Sequence, residues 1–169
     1  MATVTINPAT NSDLPELLRI YNYYVLNSTA TFDEVPLTET EMMQVLLLTN
    51  NSEADRYRSF TIKKQNLICG YAIISKHHPR SAYLKTANVA VYIAPEFVRQ
   101  GFGGIALDFL EKWAAQHQFH VLIAIICAEN ESSIALFSKK GYFKCAHLKE
   151  VGIKFGRVLD VVYYQKIIN

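Results

Sequence analysis

A glycine-rich turn between an apolar strand and a helix is the part of this sequence that best fits a chemical task. The apolar run ending at Ile93 is followed by Pro95, a short basic stretch, and then Gly101, Gly103 and Gly104. A helical pattern continues to residue 117. The first N–H groups of a helix lack partners within the helix and carry partial positive charge. Glycines in front of them let a phosphate approach, so the spacing predicts a pyrophosphate cradle.

Two other interpretations of these glycines stay open on the motif alone. Glycines before a helix can form an ordinary turn. Gly101, Gly103 and Ala106 also fit the G-x-G-x-x-G/A fingerprint of nicotinamide dinucleotides, with Glu129 at about the right distance for its acidic residue. That fingerprint joins strand and helix tightly, whereas here six residues, 95–100, precede the first glycine.

Composition and charge exclude several classes of function. The 169 residues are 50% hydrophobic, which predicts one domain, 1–169, with a sizeable core. The net charge of +2, with acidic and basic residues interspersed, indicates neither nucleic acid nor a membrane surface as a partner. No apolar run is long enough to span a membrane, and the N-terminus lacks the pattern of a signal peptide.

Cysteine and histidine spacing predicts neither disulfides nor a metal site. Cys69, Cys127 and Cys145 are odd in number and lie in strand-like segments, as expected for buried, reduced thiols of a cytoplasmic protein. No Cys/His spacing resembles a zinc site, and His77-His78 is a pair without partners. We therefore expect a cytoplasmic protein without a bound metal.

Periodicity and turn residues predict elements in the order β-α-α-β-β-β-α-β-α-β-β. The predicted segments are 4–7, 13–26, 38–48, 57–63, 67–76, 83–93, 101–117, 121–127, 131–140, 142–151 and 157–166. The polar stretch 50–55 is a linker too short to separate domains. Three successive strands followed by one βαβ crossover predict a mixed sheet in an α/β (α+β) fold. That order does not suit a doubly wound dinucleotide domain.

The glycine turn and several further stretches resemble the GCN5-related N-acetyltransferase (GNAT) superfamily, and within it the phosphinothricin acetyltransferase group. The further stretches are 20–32, similar to that group's first helix and substrate loop, then 91–95, Asn130 and Gly141-Tyr142. The resemblance covers nearly the whole chain. It implies the GNAT fold, in which a mostly antiparallel sheet splays between its fourth and fifth strands and carries four helices. It also implies an N-acetyltransferase with acetyl-CoA as the donor.

The resemblance assigns residues to the donor. Backbone amides of the glycine turn would bind the CoA pyrophosphate; these residues are Arg99, Gln100, Gly101, Phe102, Gly103 and Gly104. Backbone groups near Val91 and Ile93 would hold pantetheine and the acetyl group between the fourth and fifth strands. Asn130 would bind the cofactor while also capping the helix that it opens. Phe137 lies on that helix and is assigned to the donor site, and Val98 stands where relatives usually carry Gln or Arg.

Two positions depart from the proton chemistry of these relatives. The proposed base of the phosphinothricin group, a glutamate, aligns with Asn88, and Phe137 stands where relatives carry a histidine or a tyrosine proposed to protonate the leaving thiolate. Neither side chain here can exchange protons. We expect Asn88, Tyr92 and Tyr142 at the catalytic centre. The candidate groups for proton transfer are Tyr92, Tyr142 and Tyr83. General acid–base help is typically worth about 10²–10⁴-fold, so its loss slows the reaction without abolishing it.

The acceptor side is also assigned by the resemblance. Phe32 would pack on the acceptor, Arg80 could hold a carboxylate, and Tyr83 stands close to Arg80 in the sequence. Phe155 and Leu159 replace histidines of relatives, which predicts a more apolar pocket. The implied reaction is direct attack by the primary amine of a small molecule, an amino acid or an analogue, in a homodimer. Two alternatives are an acyl-CoA-binding module without turnover and a protein or peptide acetyltransferase.

Overall fold

The computed structural model describes residues 3–48 and 56–168, and it has the mixed α/β architecture expected from the sequence. Its elements are β1 (Val4–Pro8), α1 (Leu14–Asn27), α2 (Glu39–Val45), β2 (Arg58–Lys64), β3 (Leu67–Lys76), β4 (Thr86–Ile93), α3 (Phe102–Gln116), β5 (Val121–Cys127), α4 (Glu131–Lys139), β6 (Phe143–Lys154) and β7 (Arg157–Ile167). Short 3-10 turns lie at Ser81–Tyr83 and Pro95–Phe97. The linker expected at 50–55 falls outside the described residues.

The described strands form one sheet in the order β1-β2-β3-β4-β5-β7-β6. Neighbouring strands are antiparallel, except that β4 and β5 run parallel. A parallel pair needs a crossover, and α3 supplies it. The crossover carries the glycine turn, which therefore lies beyond the carboxyl end of β4.

The two faces of the sheet carry separate apolar cores, and β4 contributes to both. Its residues Ala87, Val89 and Val91 pack with α3, whereas Tyr92 packs with α1 and α2. Side chains alternate along a strand, so Asn88 lies on the same face as Tyr92. The candidate catalytic positions of β4 thus share the face covered by α1.

Helix ends follow the sequence signals. Thr38 and Glu41 form a reciprocal capping box at the start of α2, and Asn130 caps α4 by accepting a hydrogen bond from the Ser133 amide at 3.2 Å. Gly141 follows α4 with a φ of 82°, a backbone conformation that favours glycine. These caps fix the chain on either side of the candidate site.

Three expectations require correction. Tyr83 does not begin a strand: its amide bonds to the Arg80 carbonyl at 3.1 Å within a 3-10 turn, and β4 begins at Thr86. α2 ends at Val45 because Leu47 adopts a positive φ of 57°. Cys145 is exposed rather than buried because it lies on β6, at the edge of the sheet.

Gly70 of β3 lets β4 approach closely beside the candidate site. A Cβ atom at Gly70 would lie 2.4 Å from the carbonyl oxygen of Tyr92 and 3.0 Å from the Cα atom of Ile93. Both are backbone atoms of a paired strand and cannot move aside without breaking the pairing. The absence of a side chain at Gly70 therefore sets the position of the last residues of β4.

Candidate active site

The parallel pair β4–β5 is interrupted soon after it begins. Its pairing joins Thr86–Asn88 to Val121–Ile123, although β4 continues to Ile93 and β5 to Cys127. The remaining residues of β5 stay paired with β7 on its other side. The two strands therefore diverge after Asn88 and leave a gap in the middle of the sheet.

Backbone groups of β4 face this gap. The Ala94 amide donates to the Cys69 carbonyl at 2.8 Å, toward β3. Backbone groups of a strand point alternately to its two sides, so those of Val91 and Ile93 point toward β5. The Ile93 carbonyl accepts a hydrogen bond from the hydroxyl of Tyr24 on α1. Val91 thus presents an amide and a carbonyl that suit an amide-containing chain lying in the gap.

The glycine turn beyond the end of β4 has a backbone conformation that suits an anion. Arg99 and Gly101 both adopt positive φ values, 61° and 87°, and α3 begins at Phe102. Alternation of ordinary and left-handed residues turns successive N–H groups toward one point, and the helix N-terminus adds its partial positive charge. A Cβ atom at Gly101 would meet nothing within 4 Å, so this glycine is required by its φ rather than by packing.

Gly103 has a packing role that the sequence alone does not reveal. A Cβ atom there would lie 2.9 Å from the Cδ2 atom of Leu136 on α4. A Cβ atom at Gly104 would lie 3.3 Å from the Cε atom of Lys140, which is flexible. Gly103 therefore allows α4 to pack against the first turn of α3, and Gly104 leaves that turn open.

The remaining residues assigned to the donor or to proton transfer lie on and after α4. Asn130 stands at the N-terminus of α4, where its Oδ1 atom also accepts from the Ser132 hydroxyl at 3.0 Å. Phe137 and Tyr142 are both 3% exposed and meet edge to face, with ring centroids 5.0 Å apart. The Tyr142 hydroxyl is buried without a hydrogen-bond partner among the described residues, and burial raises its pKa. A raised pKa makes that phenol a poorer proton donor.

Tyr92 belongs to a cluster of tyrosines on the α1 face. Its ring stacks on Tyr71 with centroids 5.2 Å apart and meets Tyr21 edge to face at 5.4 Å. Burial raises the pKa of Tyr92, and the nearby Asp33 carboxylate raises it further. Tyr24 completes the cluster at 5.8 Å from Tyr92. The structure thus places Tyr92 beside the gap, as an aromatic wall with a weakly acidic hydroxyl.

The loop after α1 lies against this cluster and carries Phe32. The Tyr21 hydroxyl donates to the Asp33 carboxylate and contacts the Thr31 hydroxyl at 2.7 Å. The Phe32 ring covers Gly152 of β6 so closely that a Cβ atom there would lie 2.1 Å from Cε2 of the ring. The loop is therefore held between α1 and the β6–β7 hairpin.

Lys154, which the sequence patterns did not single out, fastens the loop to the hairpin. Its side chain is buried, with 1% of the residue exposed, and its Nζ atom donates to the Thr31 carbonyl at 2.7 Å. Burial lowers the pKa of Lys154, while the carboxylates of Asp33 and Glu34 act in the opposite direction. No local pattern marks this contact, because its partners lie 123 positions apart.

A second contact joins the same two segments on the surface. Glu129 accepts hydrogen bonds from Thr29 of the loop and from Arg157 at the start of β7. The Arg157 guanidinium holds the pKa of Glu129 below its ordinary value, and the Thr29 hydroxyl adds to this effect. Glu129, the acidic residue in the dinucleotide interpretation of the glycines, thus bridges the loop to the hairpin.

Asn88 lies at the point where β4 and β5 diverge, and it has a partner that the sequence did not indicate. His77 places its Nδ1 atom 2.9 Å from Asn88 Oδ1, which corrects the expectation of a histidine pair without partners. Tyr83 is 43% exposed and lies over both histidines, with centroids 4.6 Å from His78 and 5.9 Å from His77. Arg80 is exposed at the start of the same turn.

The expected site residues therefore form two groups along β4. Asn88 and Tyr83 meet around His77 at the closed end of the gap, while Tyr92 lies with the loop that carries Phe32. Asn88 and Tyr92 are separated by about 13 Å at the rise of a strand. The catalytic and binding roles assigned to these residues remain predictions.

Within the described ranges, no cluster of three or more His, Cys, Asp or Glu suits a metal ion. No described helix is both long and apolar enough to cross a membrane.

Comparisons with known proteins agree with this architecture. A family model described as an acetyltransferase (GNAT) domain matches residues 6–163. A phosphinothricin N-acetyltransferase of Streptomyces coelicolor is 33% identical over 165 residues, which cover 98% of this chain and 96% of the relative. The crystal structure of a ribosomal-protein-alanine N-acetyltransferase from Brucella melitensis is 35% identical, with a TM-score of 0.89 and coverage of 96% of this chain and 99% of that one.

A third similar protein was solved with a ligand. It is a GNAT superfamily phosphinothricin acetyltransferase from Sinorhizobium meliloti in complex with AcCoA, 30% identical with a TM-score of 0.90. The match covers 99% of this chain and 89% of that one. The resemblance inferred from the sequence is confirmed by these matches. The chain belongs to the GNAT family of acetyltransferases and is similar to its phosphinothricin acetyltransferases.

Proposed function

We propose that this N-acetyltransferase transfers the acetyl group of acetyl-CoA to the primary amine of a small amino acid or amino-acid analogue. The observation that carries the proposal is the gap between β4 and β5, which opens at Asn88 and ends beside the glycine turn. Such a gap joins the glycine turn to the aromatic α1 face. The donor can therefore enter the gap from the glycine turn and the acceptor from the α1 face, so that the two meet inside the sheet.

The donor fits the chain's own groups. Amides of residues 99–104 would bind the CoA pyrophosphate, since left-handed residues before a helix N-terminus favour N–H groups that face an anion together. The backbone of Val91 would pair with the amides of the pantetheine arm, and Asn130 would contribute from the start of α4. Ile93 is a weaker candidate, because its carbonyl already accepts from Tyr24. The same likeness to acetyltransferases supports CoA over a nicotinamide dinucleotide as the ligand of the turn.

Direct attack of a neutral amine on the thioester would complete the reaction without a covalent enzyme intermediate. A lysine-like amine with a pKa of about 10.4 costs roughly 4 kcal/mol to deprotonate at pH 7.4, whereas a peptide-like α-amine with a pKa of about 8 costs under about 1 kcal/mol. Free amino acids lie between these limits. An enzyme that needs the neutral amine would thus favour α-amines over side-chain amines.

The acceptor would lie between the loop at 29–33 and the turn at 80–83. Phe32 would pack on its side chain, and Arg80 is exposed and free to turn toward a carboxylate. The relative named phosphinothricin N-acetyltransferase supports an amino-acid analogue as the acceptor class. The similar structure named ribosomal-protein-alanine N-acetyltransferase favours a second candidate, the N-terminal amine of a peptide.

The first prediction concerns the acceptor class. We expect thiol release from acetyl-CoA with α-amines of amino acids or of analogues such as phosphinothricin and methionine sulfone. A lysine side-chain amine offered as Nα-acetyl-lysine should react more slowly, by about 10²-fold relative to a peptide α-amine and by less relative to a free amino acid, because its deprotonation costs up to about 3 kcal/mol more. The measurement is a thiol-reagent assay across these amines and alanine-starting peptides at pH 7 to 9.5. A clear thermal shift with CoA, but no turnover of any amine, would leave a binding module instead.

The second prediction concerns Lys154. Lys154→Met keeps the aliphatic stem but removes the hydrogen bond to the Thr31 carbonyl. A hydrogen bond to a charged group is worth about 1.5 kcal/mol or more, so KM for the acceptor should rise about tenfold. KM for acetyl-CoA should stay unchanged. Lys144→Met, an exposed lysine of the same strand, is the matched control. An unchanged acceptor KM in the Lys154 variant would exclude a positioning role for this contact.

The β6–β7 hairpin supports the proposal of a homodimer. Its exposed face carries apolar side chains, including the cross-strand neighbours Ile153 and Val158, which are 65% and 59% exposed. Exposed apolar side chains grouped on paired strands mark interaction surfaces. We further propose a cytoplasmic location and expect no binding to nucleic acid or to a membrane surface, given the interspersed charges and the net charge of +2.

The third prediction tests this surface. Light scattering at micromolar concentration should give twice the mass of the chain, and Ile153→Asp should shift the protein toward monomer. A carboxylate buried at an apolar interface costs several kcal/mol. Lys149→Asp, an exposed position of the same strand, is the control for added negative charge. A wild-type monomer would contradict the proposed dimer.

A further inference from the structure

The His77–Asn88 pair lies where the sheet opens. His77 follows β3 directly, and the β3–β4 register places Ser75 opposite Asn88 and Lys76 opposite Ala87. The Nδ1 atom of His77 lies 2.9 Å from Asn88 Oδ1. Asn88 is also the last residue of β4 that pairs with β5. The pair therefore stands at the closed end of the gap, on the face covered by α1.

The reacting thioester is expected near this closed end. The glycine turn binds the pyrophosphate beyond Ile93, so the pantetheine arm must run along β4 from Ile93 toward Asn88. That stretch of strand rises about 17 Å. The amine would approach from the α1 face, because the α3 face of β4 is packed with apolar side chains. At this end of β4, the His77 imidazole is a titratable side chain that is hydrogen-bonded to Asn88.

The contact with Asn88 favours one tautomer of the neutral imidazole. A carboxamide oxygen can only accept, so in the neutral ring Nδ1 of His77 carries the proton and Nε2 keeps its lone pair. Tyr83 packs over the ring from the following turn, with His78 and Lys76 as chain neighbours. No acidic side chain belongs to this group of described contacts. In that tautomer Nε2 is the nitrogen available as a base.

We propose that His77 is the base of this enzyme and that Asn88 is its positioning residue, an inference that rests on the proposed acetyl transfer. Nε2 of His77 takes one proton from the acceptor ammonium, directly or across one water. The neutral amine then forms the N–C bond to the acetyl carbonyl carbon, and the C–S bond breaks. The second amine proton passes to the leaving thiolate, and the imidazolium releases its proton to solvent. The products are the amide, CoA thiol and one proton.

The fourth prediction is that His77→Gln lowers kcat/KM for the best acceptor by about 10²-fold, within the usual worth of a general base. The contribution of the imidazole to the kcat/KM profile should be lost, so that the rate rises with pH only through deprotonation of the acceptor amine itself. Added imidazole should restore activity to His77→Ala in a saturable way, which loss of a merely structural histidine would not allow. His117→Gln, at the end of α3 on the opposite face, should keep both rate and profile.

Variants of Asn88 test the positioning role. Asn88→Asp can only accept a hydrogen bond, so it should keep the same tautomer and retain activity. The double variant His77→Gln/Asn88→Asp should lose that activity, because the new carboxylate is not expected to act as the base. Asn88→Leu should lose rate without losing CoA affinity, measured by calorimetry. A His77→Gln variant with the wild-type rate and the wild-type pH profile would overturn the proposal while leaving acetyl transfer intact. No acetyl transfer by the wild type to any amine would overturn both.

Discussion

The divergence of β4 and β5 after three paired residues is the constraint on which the rest of this structure depends. Backbone N–H and C=O groups inside a sheet need partners, and a strand that loses its neighbour exposes them in the interior. Here β4 keeps its pairing with β3 and β5 keeps its pairing with β7, so unpaired groups of both strands face the gap. Tyr24 satisfies the Ile93 carbonyl from α1. The remaining groups, around Val91, are those that a ligand with amides of its own can pair.

The surroundings of the gap follow from that divergence. The crossover that makes β4 and β5 parallel must carry a helix, so the N-terminus of α3 and the left-handed residues before it lie at the open end. On the other face, four tyrosines pack around the end of β4. Aromatic rings supply a rigid wall at low entropy cost, while burial keeps their hydroxyls protonated. The wall shapes the gap, and in the proposed reaction proton transfer is assigned to groups at its closed end.

The loop over this wall depends on one buried cation. Burying an ammonium is unfavourable unless hydrogen bonds and opposite charges compensate for lost water. Lys154 has the Thr31 carbonyl at 2.7 Å and the charges of Asp33 and Glu34 nearby, so its burial is compensated by the loop itself. Removing the loop contact would leave the charge buried without that partner. The contact thus connects the hairpin at the edge of the sheet to the loop that carries Phe32.

Features carried by local sequence could be predicted, and features made by distant contacts could not. The glycine turn, the cap at Asn130 and the end of α4 at Gly141 are local signals, and all are found in the structure. The sequence pattern assigns Tyr83 to the strand because apolar residues continue from it toward β4, whereas Tyr83 ends the 3-10 turn Ser81–Tyr83. Lys154 and the partner of His77 were missed because pairing across strands or between a loop and a hairpin leaves no spacing to detect.

A crystal structure of the protein with CoA tests the central claim most directly, because the gap is defined by backbone groups whose ligand can be seen. The account predicts the pyrophosphate on the amides of residues 99–104, the pantetheine arm between β4 and β5 against Val91, and the thiol near Asn88. CoA bound elsewhere, or β4 and β5 paired along their whole length in the complex, would contradict it.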